Sequence, residues 1–296
     1  MRCESKLMPD VLMITVNYKG ADATERFLAS ATGLEGQANS RILVVENGSE
    51  DGSAERLRSL VPRFSNVELL ESPTNRGYFG AANWALQQFL ARGRQPDWTI
   101  ICNNDLIFDD HQFLQKLFQH DPKRGQVIAP SIVARQTGVD CNPFMRERPT
   151  RSRLMRYRFW QSHYYLMWTK QLLSPYVRAL RYHLSLGREV PSSEKVQVYA
   201  PHGAFLIFSR GYFEAGGYID DGFFLYAEEL SVAEICLRLK LPVIHDRELK
   251  VLHDGRHVTG RLCNRVSFRQ GREGLEYALR TYFFAPEAGK SRPLQS

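Results

Sequence analysis

The chain is poor in cysteine, has no long apolar run, and lacks both glycine-rich phosphate motifs common in α/β chains. Its five cysteines (Cys3, Cys102, Cys141, Cys236 and Cys263) are odd in number, scattered and without a CxxC pair. That excludes a disulfide framework and a zinc ribbon, and it fits a reducing compartment. No stretch approaches the roughly 18 apolar residues that a spanning helix needs. The opening "MRCESKLMPD" has no apolar segment of the kind that directs export. The expectation is a cytoplasmic chain, peripheral at most to the inner face of the cell membrane. A dinucleotide site would need GxGxxG directly after the first strand, where this sequence reads "NYKGAD", and there is no Walker lysine motif. Nicotinamide and P-loop chemistry are therefore not supported.

What is present is a globular composition. With 296 residues and 43% hydrophobic content the chain can bury one large core or two modest ones. Its net charge of +7 is local in origin: residues 146–189 hold nine Arg and one Lys against two Glu, an excess of +8. The rest is near neutral, so nucleic acid is not the expected partner. The same stretch carries eight aromatics (Tyr157, Phe159, Trp160, Tyr164, Tyr165, Trp168, Tyr176 and Tyr182). Cations interleaved with Trp and Tyr suit an anionic membrane surface. The alternative is a pair of solvated helices whose aromatics pack inward.

The first hundred residues alternate strand and helix signals. "VLMITVNY" (11–18), "RILVVEN" (41–47), "NVELLES" and "DWTIICN" are short β-rich runs. Between them lie "ADATERFLASATGL", the turn-rich "GSEDGSAERLRSL" opening into a helix, and "GAANWALQQFLA". The resulting βαβαβαβ order, with strands apolar throughout, predicts an α/β fold with a mainly parallel sheet covered by helices on both faces. Sites in such sheets lie at the carboxyl ends of the strands. Asn17, Glu46, Asn47 and the run Asn103, Asn104, Asp105 all fall there, so they are expected to converge on one polar crevice.

The ordered series "VNYK", "VVENGSEDGS", "NRGYFGAAN", "ICNND", "GAFLIFSRGYFEAGGYIDDGFFLYAEE" and "VLHDG" resembles family 2 inverting glycosyltransferases of the Rossmann-like GT-A fold. The likeness is strongest to a bacterial rhamnosyltransferase-like branch and spans roughly residues 11–257, with the basic stretch as its poorly matching interior. The resemblance implies that Glu46, Asn47, Ser49 and Asp51 match the loop that holds the nucleotide, with Glu46 in place of the usual Asp. The alternative for this loop is an Asx-type turn capping the next helix. Gly77 and Gly80 would let backbone approach a ligand, and Asn75 would hold the loop or touch the nucleotide.

By the same resemblance, Asn103-Asn104-Asp105 stands for the metal-binding DxD motif, its first acid replaced by Asn103. Asp105 is then the ligand for Mg²⁺ or Mn²⁺ beside the diphosphate. His253 matches a family histidine near that diphosphate and is a second candidate ligand, favouring Mn²⁺; the alternative is a hydrogen-bonded histidine ending a strand. His257 is separated from it by Gly255, so no helical zinc pair is expected. The acceptor hydroxyl must lose its proton as it attacks, and a carboxylate within about 3 Å can take it. Glu229 occupies the family's base position with Glu228 beside it, and either could act; two acids opening a helix are also expected from its dipole. Asp220 and Asp221 read as turn residues, and Glu234 is spaced to meet Arg238 one turn on.

The expectation is one GT-A domain over 1–262, made of a nucleotide-binding half (1–125), an inserted basic aromatic helical region (126–197) and an acceptor half (198–262), followed by a helix and tail (263–296). Its activity would be transfer from a nucleotide diphosphate sugar, with deoxythymidine-diphosphate rhamnose implied by the branch, to a hydroxyl of a lipid-linked glycan. The alternatives are a non-catalytic nucleotide-sugar-binding relative and a nucleic-acid- or nucleotide-binding protein using the basic stretch.

Overall fold

The computed structural model describes residues 9–36, 39–170, 195–254 and 264–284. Its sheet contains β1 (Val11–Asn17), β2 (Ser40–Asn47), β3 (Val67–Ser72), β4 (Trp98–Asn103), β5 (Leu106–Ile107), β6 (Val127–Ala134), β7 (Lys195–Val198), β8 (Phe205–Ser209) and β9 (Val243–His253). The spatial order is β3-β2-β1-β4-β8-β6-β9-β5, and β7 pairs with β9. β3, β2, β1 and β4 run parallel, joined by α1 (Ala21–Ala31), α2 (Ser53–Leu60) and α3 (Tyr78–Leu90). β8 enters antiparallel between β4 and β6, while β6 and β9 are parallel.

Continuous apolar strands follow from the sheet having two covered faces. Along a strand successive side chains point to opposite sides. In β1, Leu12 and Ile14 enter one buried cluster and Val11 and Met13 the other; in β8, Leu206 and Phe208 divide from Phe205 and Ile207 in the same way. The central strands thus need apolar residues at both parities, which is why the sequence shows runs and not alternation there, whereas β7 (KVQV) alternates. Among the described residues no helix is long and apolar enough to cross a membrane.

The helix Arg265–Ala278 belongs to this body: Leu275 and Ala278, with Leu279 and Tyr282 just beyond, lie in the same core as Leu12 and Phe223. Asp220 fastens it. Its carboxylate accepts the Gly222 N–H, as a turn residue does, and also the hydroxyls of Tyr277 and Tyr282, the latter at 2.5 Å. Asp220 is therefore more than a turn residue; it is a buried anchor between distant segments. Glu234 likewise departs from the local expectation. Both its oxygens take Arg148, at 2.7 and 2.9 Å, and Tyr199 Oη donates to it as well, while Arg238 lies over the Tyr218 ring. The long-range fork to Arg148 offers two charge-assisted bonds at a nearly buried site, which outweighs an exposed i,i+4 pair.

Candidate active site

β1, β2, β4 and β9 all present their last residues at one edge of the sheet. The floor of the crevice there is a closed hydrogen-bond network. Asn17, wholly buried, donates to Glu46 Oε2 and accepts from Thr24 Oγ1, while Glu46 Oε1 accepts the Ser49 N–H. Asn104 Nδ2 donates to Asn17 Oδ1, to the Gly20 carbonyl and to Thr24 Oγ1. Asn47 accepts the Arg76 N–H and donates to Asn75 Oδ1 and to the Gly77 carbonyl. These buried polar groups brace three loops against one another. Ser49, Gly77 and the half-exposed Asn103 lie above that floor. Asp51 Oδ1 accepts the Ser53 N–H, and hydrogen bonding from Ser53, from its side chain first and its backbone next, holds the exposed carboxyl below its ordinary range. The Asx-type turn is thus present.

Gly77 shows why this loop tolerates no other residue. Its φ is +74°, and an added Cβ would come within 2.0 Å of the Phe224 carbonyl oxygen, to which the Tyr78 N–H donates. The loop therefore presses against the turn that carries the acid pair. Gly80, inside α3, has space for a Cβ, with only Arg76 at 3.5 Å. Here the close approach at Gly77 is to backbone of the same chain.

Asp105 follows β4 and faces His253 at the end of β9, with His253 Nε2 3.2 Å from the Asp105 carboxylate. The segments are fixed by the Asp254 N–H donating to the Asp105 carbonyl and by pairing of Leu106 with His253. Asp105 Oδ1 is buried and makes no hydrogen bond of its own, lying like Oδ2 3.2 Å from the single His253 Nε2. One imidazole nitrogen serves two carboxylate oxygens poorly, and a cation in the crevice would satisfy the second. The described residues contain no cluster of three or more metal-ligating side chains. The pair thus fits a cation that draws its remaining oxygens from a ligand and water. His257 lies outside the described residues.

Glu228 and Glu229 open the helix Glu228–Leu239 after a turn in which two non-glycine residues, Tyr226 and Ala227, have φ of +71° and +70°. Such left-handed conformations persist only where surroundings impose them. Here the Tyr226 carbonyl abuts Gly274, where a Cβ would lie 2.3 Å away, and Phe224 is gripped by the Gly77 loop. Glu228 is 4% exposed, and its Oε1 has no partner. Burial first, then the Glu229 charge, raises its pKa well above the carboxylate range. Glu229, also raised by burial, is partly open and accepts the Gly203 N–H at 3.2 Å. The pair is thus suited to hold one proton on the deeper Glu228 and leave Glu229 as the open base.

Two participants were not singled out in the sequence. Tyr78 donates to the Gly203 carbonyl at 3.1 Å, and its hydroxyl is raised well above its ordinary value by burial first, then by Cys102 and by Glu228, Glu229 and Asp105. It is thus within electrostatic reach of both the acid pair and Asp105. His202 Nδ1 accepts the Ala204 N–H at 3.2 Å, which leaves the proton on Nε2. Burial, assisted by His253, lowers its pKa to about 4, so it is a neutral donor at physiological pH. The signal was "APHGAF": a polar break directly before an apolar strand, the mirror of "ICNND".

Comparison with known proteins gives the family and the fold. The glycosyl transferase family 2 model matches residues 10–174, more than half of the chain. An N-acetylglucosaminyl-diphospho-decaprenol L-rhamnosyltransferase of Mycobacterium tuberculosis is 28% identical over 267 residues, covering 86% of this chain and 79% of that protein. A low-salt glycan biosynthesis hexosyltransferase, Agl10 of Haloferax volcanii, is 22% identical over 253 residues, covering 85% and 68%. Among solved structures, a Pyrobaculum calidifontis mannosyltransferase in complex with GDP-Man and Mn²⁺ superposes with a TM-score of 0.54 at 14% identity, covering 93% of this chain and 73% of that one. GalNAc-T7 with UDP, GalNAc and Mn²⁺ gives 0.54 at 10% identity, covering 92% and 48%. The chain belongs to glycosyl transferase family 2, is a glycosyltransferase, and has the GT-A fold.

Proposed function

We propose that this family 2 glycosyltransferase moves a sugar from a nucleoside diphosphate sugar, with inversion, to a hydroxyl of a growing lipid-linked glycan. The observation that carries the reading is the placing of the Asp105–His253 pair and the Glu229 carboxylate around Tyr78 at one carboxyl edge of the sheet. The nucleotide lies over the floor braced by Asn17, Glu46, Asn47 and Asn104, with Ser49, Asp51, Asn75, Gly77 and Asn103 around it. Asp105 and His253 hold Mg²⁺ or Mn²⁺, with the imidazole favouring Mn²⁺. A divalent cation bound there offsets charge developing on the departing diphosphate.

Glu229 takes the proton of the acceptor hydroxyl. The acceptor oxygen bonds to the anomeric carbon as the bond to the diphosphate oxygen breaks, and the nucleoside diphosphate leaves with that electron pair. A raised carboxylate pKa strengthens the base, and a proton on Glu228 spares Glu229 a second adjacent charge. The likeness to the mycobacterial rhamnosyltransferase supports rhamnose as the transferred sugar and a diphospholipid-linked sugar as acceptor; we take the donor to be deoxythymidine-diphosphate rhamnose and the acceptor to be met on the cytoplasmic side of the membrane. We read residues 1–125 as the nucleotide half, 126–197 as an insertion and 198–262 as the acceptor half, which the helix after residue 263 supports.

A thermal-shift series tests the donor reading, because a ligand that binds only the native state raises the melting temperature. Deoxythymidine-diphosphate rhamnose with Mn²⁺ should raise it more than the uridine- or guanosine-diphosphate sugars do. Equal or absent shifts for every donor, with and without Mn²⁺, would refute it.

A further inference from the structure

The sequence placed its charge excess in residues 146–189, of which 171–189 lie outside the described residues. Beside it the structure sets a second helix, Arg265–Ala278, which holds three Arg against two Glu and in which the exposed Arg269 lies 3.9 Å from the exposed Glu273, a pair that solvent screens. The helix Arg151–Trp160 and residues 164–170 pack on the helix Arg265–Ala278 through Arg158 to Glu276 at 2.7 Å, Tyr164 against Phe268 at 5.6 Å, and Arg272 to the Ser162 carbonyl. No acid occurs in the helix Arg151–Trp160. Together the two helices expose Arg153, Arg156, Arg265 and Arg269.

Apolar side chains emerge among these cations. Phe159 is 60% exposed and Met155 44%, one helical turn apart on one face, and Tyr165 and Val266 are 67% and 57% exposed. Large apolar groups left in water within a cationic field have a specific chemical complement. Nucleic acid would satisfy the cations and leave Met155 and Val266 in water. An anionic bilayer satisfies both, because apolar groups enter the acyl boundary while guanidinium groups meet lipid phosphate.

We propose that this two-helix face docks the enzyme on an anionic membrane surface, which deepens the lipid-linked acceptor reading and rests on it for its purpose. The face is coupled to the chemistry. Arg148, just before the first helix, forks onto Glu234 of the base-bearing helix, and the second helix carries the Gly274 that supports the turn before Glu228. Docking therefore fixes the height of the base relative to the bilayer.

The experiment is sedimentation of the full chain with phosphatidylcholine vesicles, with and without phosphatidylglycerol, at low and high salt. The vesicles hold neither donor nor acceptor, so the outcome is independent of the transfer reading, which is followed separately by donor-induced thermal shift. Wild type is expected to pellet with anionic vesicles only and to be released by salt. Each cation near the surface contributes about fivefold to partitioning, so changing Arg153, Arg156, Arg265 and Arg269 to Gln should lower it by well over tenfold. Met155→Ala with Phe159→Ala should lower it severalfold at low salt. Both variants alter exposed helical positions and should melt and bind donor as wild type does. The proposal is overturned if wild type ignores anionic vesicles, if the charge variant pellets equally, or if a single-stranded oligonucleotide binds the face more tightly than the vesicles do. Wild type alone decides the lipid and salt arms should a variant fail to fold.

Discussion

Changing Glu228 to Gln separates its role from that of Glu229. The native carboxyl is buried beside a second carboxylate, and its pKa is raised from an ordinary 4.5. An acid whose native pKa lies above its unfolded one contributes stability that is intact below pH 4.5 and is lost as pH rises toward the native value. The unfolded chain then releases a proton that the native chain retains. With the native value at about 8, each pH unit between 4.5 and that value corresponds to about 1.4 kcal/mol, or about 2 °C in melting temperature for a chain of this size. Glutamine has nearly the same shape and never ionises, so the loss disappears. Glu228→Gln is therefore expected to melt several degrees above wild type at pH 8 and close to it at pH 5, in a scan of melting temperature against pH. Transfer by this variant should stay within a few-fold, whereas Glu229→Gln should abolish transfer and keep donor binding. The reasoning fails if Glu228→Gln shows the same pH slope as wild type. If it is the inactive variant while Glu229→Gln transfers sugar, the two roles are exchanged.

Asp105→Asn removes the carboxylate charge that faces His253, and it should eliminate the Mn²⁺-dependent part of the donor thermal shift while the free protein still folds; an unchanged Mn²⁺ response would sink the ligand assignment. Gly77→Ala sets a methyl against the Phe224 carbonyl and should cost more than about 3 kcal/mol in urea unfolding, while Gly80→Ala, with open space in a helix, should gain about 1 kcal/mol. Equal effects at the two glycines would show that the loop yields. Asp220→Asn weakens the hydroxyl bonds from Tyr277 and Tyr282 and should cost about 2–4 kcal/mol, since hydrogen bonds to a charged group contribute about 1.5–3 kcal/mol each; Tyr282→Phe should cost little further in that background.

The parallel half of the sheet was legible because its strands are bounded by turn residues and its helices have apolar faces. β1 and β4 start and end within a residue of the segments read from sequence. The position of β8 was not legible. "FLIFS" announces a strand, but nothing in its residues says that it runs antiparallel between β4 and β6. The same limit applies to side chains. Asp220 looked like a turn residue because its local bond, to Gly222, is written in adjacent sequence, whereas Tyr277 and Tyr282 lie far along the chain. Glu234 had a visible local candidate in Arg238, and the distant Arg148 took both its oxygens. Residues at strand ends were found by rule. Tyr78 and His202 were missed because their roles depend on loops meeting from different strands.

The Tyr226–Ala227 turn owes its conformation partly to Gly274, so the setting of the acid pair is completed by a helix that follows it in the chain beyond the helix Glu228–Leu239 and β9. Translation therefore delivers the parts of the site in a fixed order. Asn17, Glu46 and Asp105 emerge first and can build the donor floor. Glu229 follows, attached to a turn that nothing yet holds in its left-handed form. Only when the helix carrying Gly274 has been made and has docked does the acid pair acquire its final setting.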